Sequence, residues 1–282
     1  MLIELQPLTP VFAAEVNGVD LVSGLNDELF AAIRRAFEEY SILVFRDQPM
    51  DDDQQIAFSK RFGRLETTVI SNPAGGTPFA RQSNIDINTG ELISPDDRRM
   101  AYQKGNMLWH ADSTFKETAS LCSILTAREV PPEGGATEFA STRAAFEVLD
   151  GVRGAEIEKL IVEHSVLYSR STIGFTFTEE EAAQTPPVAH PLVRTNPVTG
   201  RKSVMIGAHA SHIVGWPVDR GRALLKELLE LATQPKHQYR HEWTTDDLVI
   251  WDNRATLHRA TAYDTSRFRR LMQRTTVADV AA

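Results

Sequence analysis

Trp109-His110-Ala111-Asp112-Ser113 and, far along the chain, Leu257-His258-Arg259 bring together the residue types of a metal-dependent chemistry. If 110–112 is extended, alternate side chains point the same way, so His110 and Asp112 share a face with Cα atoms roughly 6.6 Å apart. Such a pair offers one nitrogen and one oxygen to a divalent first-row ion. A second histidine would complete a two-histidine, one-carboxylate face with open positions, the set that suits Fe(II) and O2. His-x-Asp alone is a common pairing, and a hydrogen-bonded contact at a strand end is the ordinary alternative.

Of the eight histidines, His258 is the strongest candidate for the third place. It follows the buried run Leu248-Val249-Ile250-Trp251 and a turn at Asp252-Asn253, and it precedes a strand with two arginines. His164, His190, His237 and His241 lie among polar residues or beside aromatic strand positions, where a surface or hydrogen-bonded role is the commoner one. His209 and His212, in Gly207-Ala208-His209-Ala210-Ser211-His212, are closely spaced and are expected to form a pocket wall. The last strand is expected from about Phe268 to Val277, with Arg270, Met272, Arg274 and Thr276 on one face. That spacing sets the Cα atoms of the two arginines roughly 13 Å apart. A guanidinium turned into a barrel is costly unless an anion meets it, and a carboxylate fits its fork. Two arginines so separated can anchor two different acids with the metal between them. The plainer alternatives are pairing with protein carboxylates, or a solvated basic face made of Arg254, Arg259, Arg267, Arg269, Arg270 and Arg274.

The elements that must position these residues are short and mixed. Ile3 to Leu5 and Ala14 to Val19 read as strands, followed by a helix from its N-cap Asn26 with Leu29, Ile33, Phe37 and Tyr40 at helical spacing. Ser41-Ile42-Leu43-Val44-Phe45 reads as a buried strand, and Asp51-Asp52-Asp53-Gln54 opens a helix that stops at Gly63 with Phe58 and Phe62 inward. Segment 64–105 has no sustained periodicity and is long for a passive connection, so beside a candidate site it is either a lid or a surface excursion. Beyond the metal motif, 120–127 is an apolar strand, and the turn Val130 to Gly135 leads into a second at Ala136-Thr137-Glu138-Phe139. Helices are expected from Ser141 to Leu149, over 152–162 with Ile157, Leu160 and Ile161 inward, after a capping box at Thr178 to Glu181, and from Val218 to Thr233. Leu192 to Arg194 and Ser203 to Ile206 should form a hairpin across the turn Asn196 to Gly200. Many short strands without a strand-helix-strand rhythm favour a mostly β jelly roll or barrel with flanking helices over a doubly wound sheet.

The 282 residues are expected to form one domain over 1–282. A hydrophobic fraction of 42% and a charged fraction of 24% exclude a disordered or fibrous chain. The net charge of −8 argues against nucleic acid or an anionic membrane as partner. No apolar run approaches a membrane span of about 20 residues, and Met1 to Pro10 lacks the features of a signal peptide, so the chain is expected in the cytoplasm. A homo-oligomer is expected. The single cysteine, Cys122, lies in the apolar run Leu121-Cys122-Ser123-Ile124-Leu125 and is expected to pack rather than react.

Taken together, His110-Ala111-Asp112, Thr137 after Gly134-Gly135, Trp251-Asp252-Asn253-Arg254, His258 and the run Arg270 to Thr276 resemble the taurine / 2,4-dichlorophenoxyacetate dioxygenase family over nearly the whole chain. Ser41 to Arg46, Asp53 to Phe58, Arg143-Ala144-Ala145 and Ile206 to His212 resemble most its 2,4-dichlorophenoxyacetate dioxygenases. The resemblance implies a cupin-like double-stranded β-helix in which His110, Asp112 and His258 bind Fe(II), and a 2-oxoglutarate and O2 dependence. It implies that Arg270 grips the distal carboxylate of 2-oxoglutarate with help from Thr137, that Trp251 lines that pocket, and that Arg274 faces the acid of a second, small acidic substrate. Asn106, Ser113 and Ser71 match positions near that substrate. Relatives carry lysine where Ser71 stands, another basic residue near Glu91, and histidine where Asn196 stands, departures that lessen the basic character of the mouth. The implied reaction is hydroxylation of an aryloxyacetate, which falls apart to a phenol and glyoxylate, with succinate and CO2 from the co-substrate. Hydroxylation of a sulfonate such as taurine or of another carboxylate is the nearest alternative. A non-catalytic metal-dependent binding protein and a Zn(II) hydrolase fit less well, because neither needs two inward arginines.

Overall fold

A computed structural model describes residues 3–67 and 76–280. Seven strands form a mixed sheet in the spatial order Glu4–Pro7, Ala14–Asn17, Ile42–Phe45, Leu248–Asp252, Ser120–Glu129, Leu271–Ala278, Phe79–Ser83, antiparallel except where Ala14–Asn17 runs parallel to Ile42–Phe45. A three-stranded sheet, Gln238–His241, Thr137–Ser141 and Thr256–Ala260, faces it. The continuous apolar runs at 42–45 and 248–251 are buried on both sides because each side of the large sheet is covered. On the outer side lie the helices Asp27–Tyr40 and Asp52–Lys60, where Ile33, Phe37, Phe58 and Phe62 pack against Leu43, Phe45, Ile124 and Ile250. On the inner side, Val249, Trp251 and Met272 of the large sheet meet Phe139 and Tyr239 of the small one. A third cluster sits under the helix Val218–Ala232, where Leu224 and Leu228 meet Ile206, Ile213 and Leu257.

Local signals set the ends of these elements. The Asn26 side chain accepts from the Leu29 N–H at 2.8 Å, and Asp51 and Gln54 form a reciprocal capping box. Phe37 is fully buried on the sheet-facing side, so Phe37→Ala should lower the unfolding free energy by about 3–5 kcal/mol, read by urea denaturation. Val152→Ala, at an exposed position, should stay within about 0.5 kcal/mol.

Three expectations change. The helix expected over 152–162 spans Gly151–Ile157, and Ile161 opens the strand Ile161–His164, because hydrogen bonding to Val188–Pro191 and Ala210–Ile213 overrides the helical spacing. Segment 64–105 is not without structure: Phe79–Ser83 is the edge strand beside Leu271–Ala278, and Arg98–Gln103 is a helix. A five-residue strand with two polar central positions carries too short a pattern to read. The turn 130–135 leads, as expected, into a second strand, and it carries the chain from the large sheet at Ser120–Glu129 to the small one at Thr137–Ser141. The last strand starts at Leu271, so Arg270 stands just ahead of it. No helix among the described residues is long and apolar enough to cross a membrane.

Candidate metal centre and two adjoining cavities

A two-residue β-bridge brings the distant histidine to the first. His110 N–H donates to His258 O at 3.0 Å and His258 N–H donates to His110 O at 2.8 Å, which sets the two rings 4.2 Å apart at their centroids. Only His110 is bridged in this way; the chain then enters a turn, with Ser113 at a φ of 55°, so the extended 110–112 segment stops short of Asp112. The turn still carries the carboxylate back to the rings. One ligand atom from each of His110, Asp112 and His258 lies within 4.8 Å of the others, and all three residues are buried.

Each member is held by neighbours. His110 Nδ1 is 2.7 Å from Leu108 O, which leaves Nε2 free to face a metal. Asp112 Oδ2 accepts from Ser123 Oγ at 2.7 Å, its Oδ1 pairs with the Arg274 guanidinium, and its backbone N–H donates to Asn253 Oδ1 at 3.0 Å. Asn253 Nδ2 in turn donates to Ser123 Oγ at 3.0 Å, so one turn residue aligns both the carboxylate and the hydroxyl that holds it. Burial alone would raise the Asp112 carboxyl, but Arg274 and the two imidazoles outweigh it and hold it well below the ordinary range. Burial, reinforced between the two rings, pushes His258 down, and burial also lowers His110. Two neutral imidazoles beside an ionised carboxylate, with His258 Nε2 3.7 Å from Asp112 Oδ2, fit a divalent cation in their donor set and protonation states.

Two cavities open from this cluster. A narrow slot is lined by Thr137, Trp251, His258 and Arg270. Arg270 is buried there; its Nη2 donates to Gly135 O at 3.2 Å, its Nε has no partner, and it holds no carboxylate among the described residues. Burial pushes this guanidinium down to about 10. Gly135, at a φ of 69°, permits the approach: a Cβ there would lie 3.3 Å from Arg270 Nε. Thr137 Oγ1 accepts from Trp243 Nε1 at 2.9 Å, so its own proton is left for an acceptor in the slot. The alternative of one solvated basic face holds for part of the run only: Arg267 is exposed and Arg259 and Arg269 form surface pairs with Glu138 and Glu129, whereas Arg254 is buried on Glu38 and Asp252 and Arg274 pairs with Asp112.

The second cavity is a chamber of about 220 Å³ that meets the cluster from the side of His110, Asp112 and Arg274. Tyr102, Phe115, Phe175 and Phe177 supply its apolar wall, with Phe175 edge-on to Tyr102 at 5.4 Å and to Phe177 at 5.2 Å. Asn106 lines both cavities and donates to Gln82 Oε1 at 2.7 Å; Ser113 lines the chamber and donates to Glu66 Oε2 at 2.7 Å. Arg274 faces both cavities with one edge already on Asp112. Ser71 lies outside the described residues.

Among the other sequence candidates, His209, just ahead of the strand Ala210–Ile213, does line the chamber, whereas His212 within that strand turns away to Ser211 and Glu163. Asn196 is not at the mouth: it caps its own turn and donates to Glu38 Oε2 at 2.7 Å in a separate cavity. Sequence reasoning missed Ser123, Asn253 as a positioning residue, Arg170 and the aromatic wall. A lone serine inside the apolar run 121–125 was the one available signal.

The taurine catabolism dioxygenase TauD, TfdA family matches residues 4–276. An alpha-ketoglutarate-dependent 2,4-dichlorophenoxyacetate dioxygenase of Cupriavidus pinatubonensis is 45% identical over 278 residues, 97% of each chain. An (S)-phenoxypropionate/alpha-ketoglutarate-dioxygenase of Sphingobium herbicidovorans is 37% identical, covering 98% of this chain and 94% of its own. Among solved structures, the crystal structure of AAD-2 in complex with Mn(II) and N-oxalylglycine superposes with a TM-score of 0.91 at 42% identity, covering 100% of this chain and 98% of that one.

Proposed function

The chain belongs to the taurine catabolism dioxygenase TauD, TfdA family, and from that premise we propose that it is an Fe(II)- and 2-oxoglutarate-dependent dioxygenase that hydroxylates aryloxyacetates. The observation that carries this reading is the placement of one buried two-histidine, one-carboxylate cluster between an arginine-ended slot and an aromatic-walled chamber. The relatives named for 2,4-dichlorophenoxyacetate and (S)-phenoxypropionate support the substrate class.

His110, Asp112 and His258 would hold the iron. With 2-oxoglutarate and O2 the bound iron supplies the oxidation, coupling decarboxylation to succinate and CO2 to hydroxylation of a substrate C–H bond. Arg270 would take the distal carboxylate of 2-oxoglutarate in its fork, Thr137 would donate to the same group, and Trp251 would wall the slot. Asn106, Ser113 and Arg274 stand on the substrate side, and the ring of Phe175 with its aromatic neighbours would stack the aryl group and keep water out. Positioning is the protein's main contribution, because a displacement of the target carbon by about 1 Å can lower the rate roughly 100-fold. Hydroxylation beside the ether oxygen yields a hemiacetal that releases a phenol and glyoxylate.

Anaerobic addition of Fe(II) and 2-oxoglutarate should give a visible charge-transfer band, and aerobic turnover should release succinate in step with a phenol. A panel of aryloxyacetates, alkylsulfonates and acyl amino acids, read by succinate release, tests the substrate class. Absence of the band overturns the reaction, and faster turnover of a sulfonate overturns the substrate class.

A further inference from the structure

Four arginines among the described residues are buried outright, and two of them have their charge answered by protein groups. Arg254 holds Glu38 and Asp252, and Arg143 donates to the carbonyls of Glu38 and Glu39 at the negative C-terminal end of the helix Asp27–Tyr40. The other two, Arg270 and Arg170, hold no carboxylate among the described residues, and residues 68–75 contain no Asp or Glu. Arg270 faces the slot and Arg170 faces the chamber. A reaction of two acids meets two buried guanidiniums that hold no carboxylate among the described residues.

Arg170 comes from the helix Val166–Ser171 and is laid flat by its surroundings. A Cβ on Gly105 would lie 2.3 Å from its Cζ, so only glycine lets the guanidinium rest on that backbone, and the Tyr102 ring lies 4.5 Å away. Its Nη1 reaches Ser169 Oγ and its Nη2 reaches Asn106 Oδ1, both at 3.4 Å, longer than a good N–H···O bond, and Nε has no partner. The chamber's other cations are already engaged: Arg98 with Glu181, Arg99 with Asp86 and Asp97, Lys116 with Glu66, Arg274 with Asp112, while the less buried Arg81 donates to Gln273. An isolated buried charge is unfavourable unless an anion arrives.

We propose that Arg170, with the Asn106 amide beside it, is a further anchor for the carboxylate of the second substrate, additional to Arg274 on the substrate side. The inference rests on the aryloxyacetate reading above. Arg274, which lines the same chamber with one edge on Asp112, remains the cation on the metal side of that acid.

The test is anaerobic calorimetric titration of the protein loaded with Fe(II) and 2-oxoglutarate, using phenoxyacetate and its neutral analogue phenoxyacetamide. Arg170→Gln should weaken phenoxyacetate binding roughly 10- to 100-fold while leaving the amide within about 3-fold and 2-oxoglutarate affinity unchanged. Arg170→Lys keeps a charge without the fork and should weaken the acid about 3- to 10-fold, again sparing the amide. Unchanged acid binding in Arg170→Gln overturns the proposal. So does equal loss of acid and amide in either variant, which is the signature of a scaffold residue. Failure of the unsubstituted protein to bind phenoxyacetate overturns the substrate class itself, and the anchor with it.

Discussion

His258→Ala should abolish Fe(II) binding and turnover together while leaving the fold intact. Changing a group that merely orients a ligand typically lowers metal affinity 10- to 100-fold, so removal of one of three ligands should exceed about 100-fold. The fold should survive because His258 contributes to the β-bridge through its backbone N–H and carbonyl, which alanine keeps, and its Nδ1 holds no partner that would be lost. Mn(II) titration by calorimetry, beside a thermal melt of the metal-free protein, separates the two effects. Ordinary metal affinity in the variant would remove His258 from the triad; a collapse of the metal-free melt would make its role structural.

The clustering of His110, Asp112 and His258 was readable in sequence because the elements that carry them obey short-range rules. His110 and Asp112 are two residues apart, and His258 follows a fully apolar run and a turn, a position that strand periodicity turns inward. Arg270 and Arg274 shared a face for the same reason, and both do line the slot. Helix starts at Asn26, Asp51, Ser141 and Thr178 were legible because a capping side chain bonds within three residues. What stayed hidden depends on contacts made across the chain. The Arg274 pairing with Asp112 spans 162 positions, and nothing near either residue announces it. Arg170 lies on a six-residue helix too short for a periodic pattern, and its significance comes from Gly105, Tyr102 and Asn106, all more than sixty positions earlier. Ile161 carried a helical spacing that sheet pairing overruled.

Arg270→Ala should raise the 2-oxoglutarate concentration needed for half-maximal turnover by roughly 30-fold or more, since truncating one partner of a buried charged pair typically costs about 2–5 kcal/mol. The same variant distinguishes a binding role from a structural one through stability. In the ligand-free protein Arg270 holds no carboxylate among the described residues, so its removal breaks no ion pair there and forfeits chiefly the donation to Gly135 O. An unpaired guanidinium pushed down to about 10 by burial is a poor stabiliser of the empty fold. The loss should therefore appear on ligand addition. At about 100 times its dissociation constant, 2-oxoglutarate should stabilise the Mn(II)-loaded unsubstituted protein by about 2.7 kcal/mol, and at that same concentration should stabilise Arg270→Ala by far less. Thermal melts with and without 2-oxoglutarate measure both quantities in one series. If Arg274→Ala instead removed the 2-oxoglutarate-dependent stabilisation while Arg270→Ala kept it, the two cavities would have their acids exchanged, and the chamber beside Arg170 would have to be read as the co-substrate's.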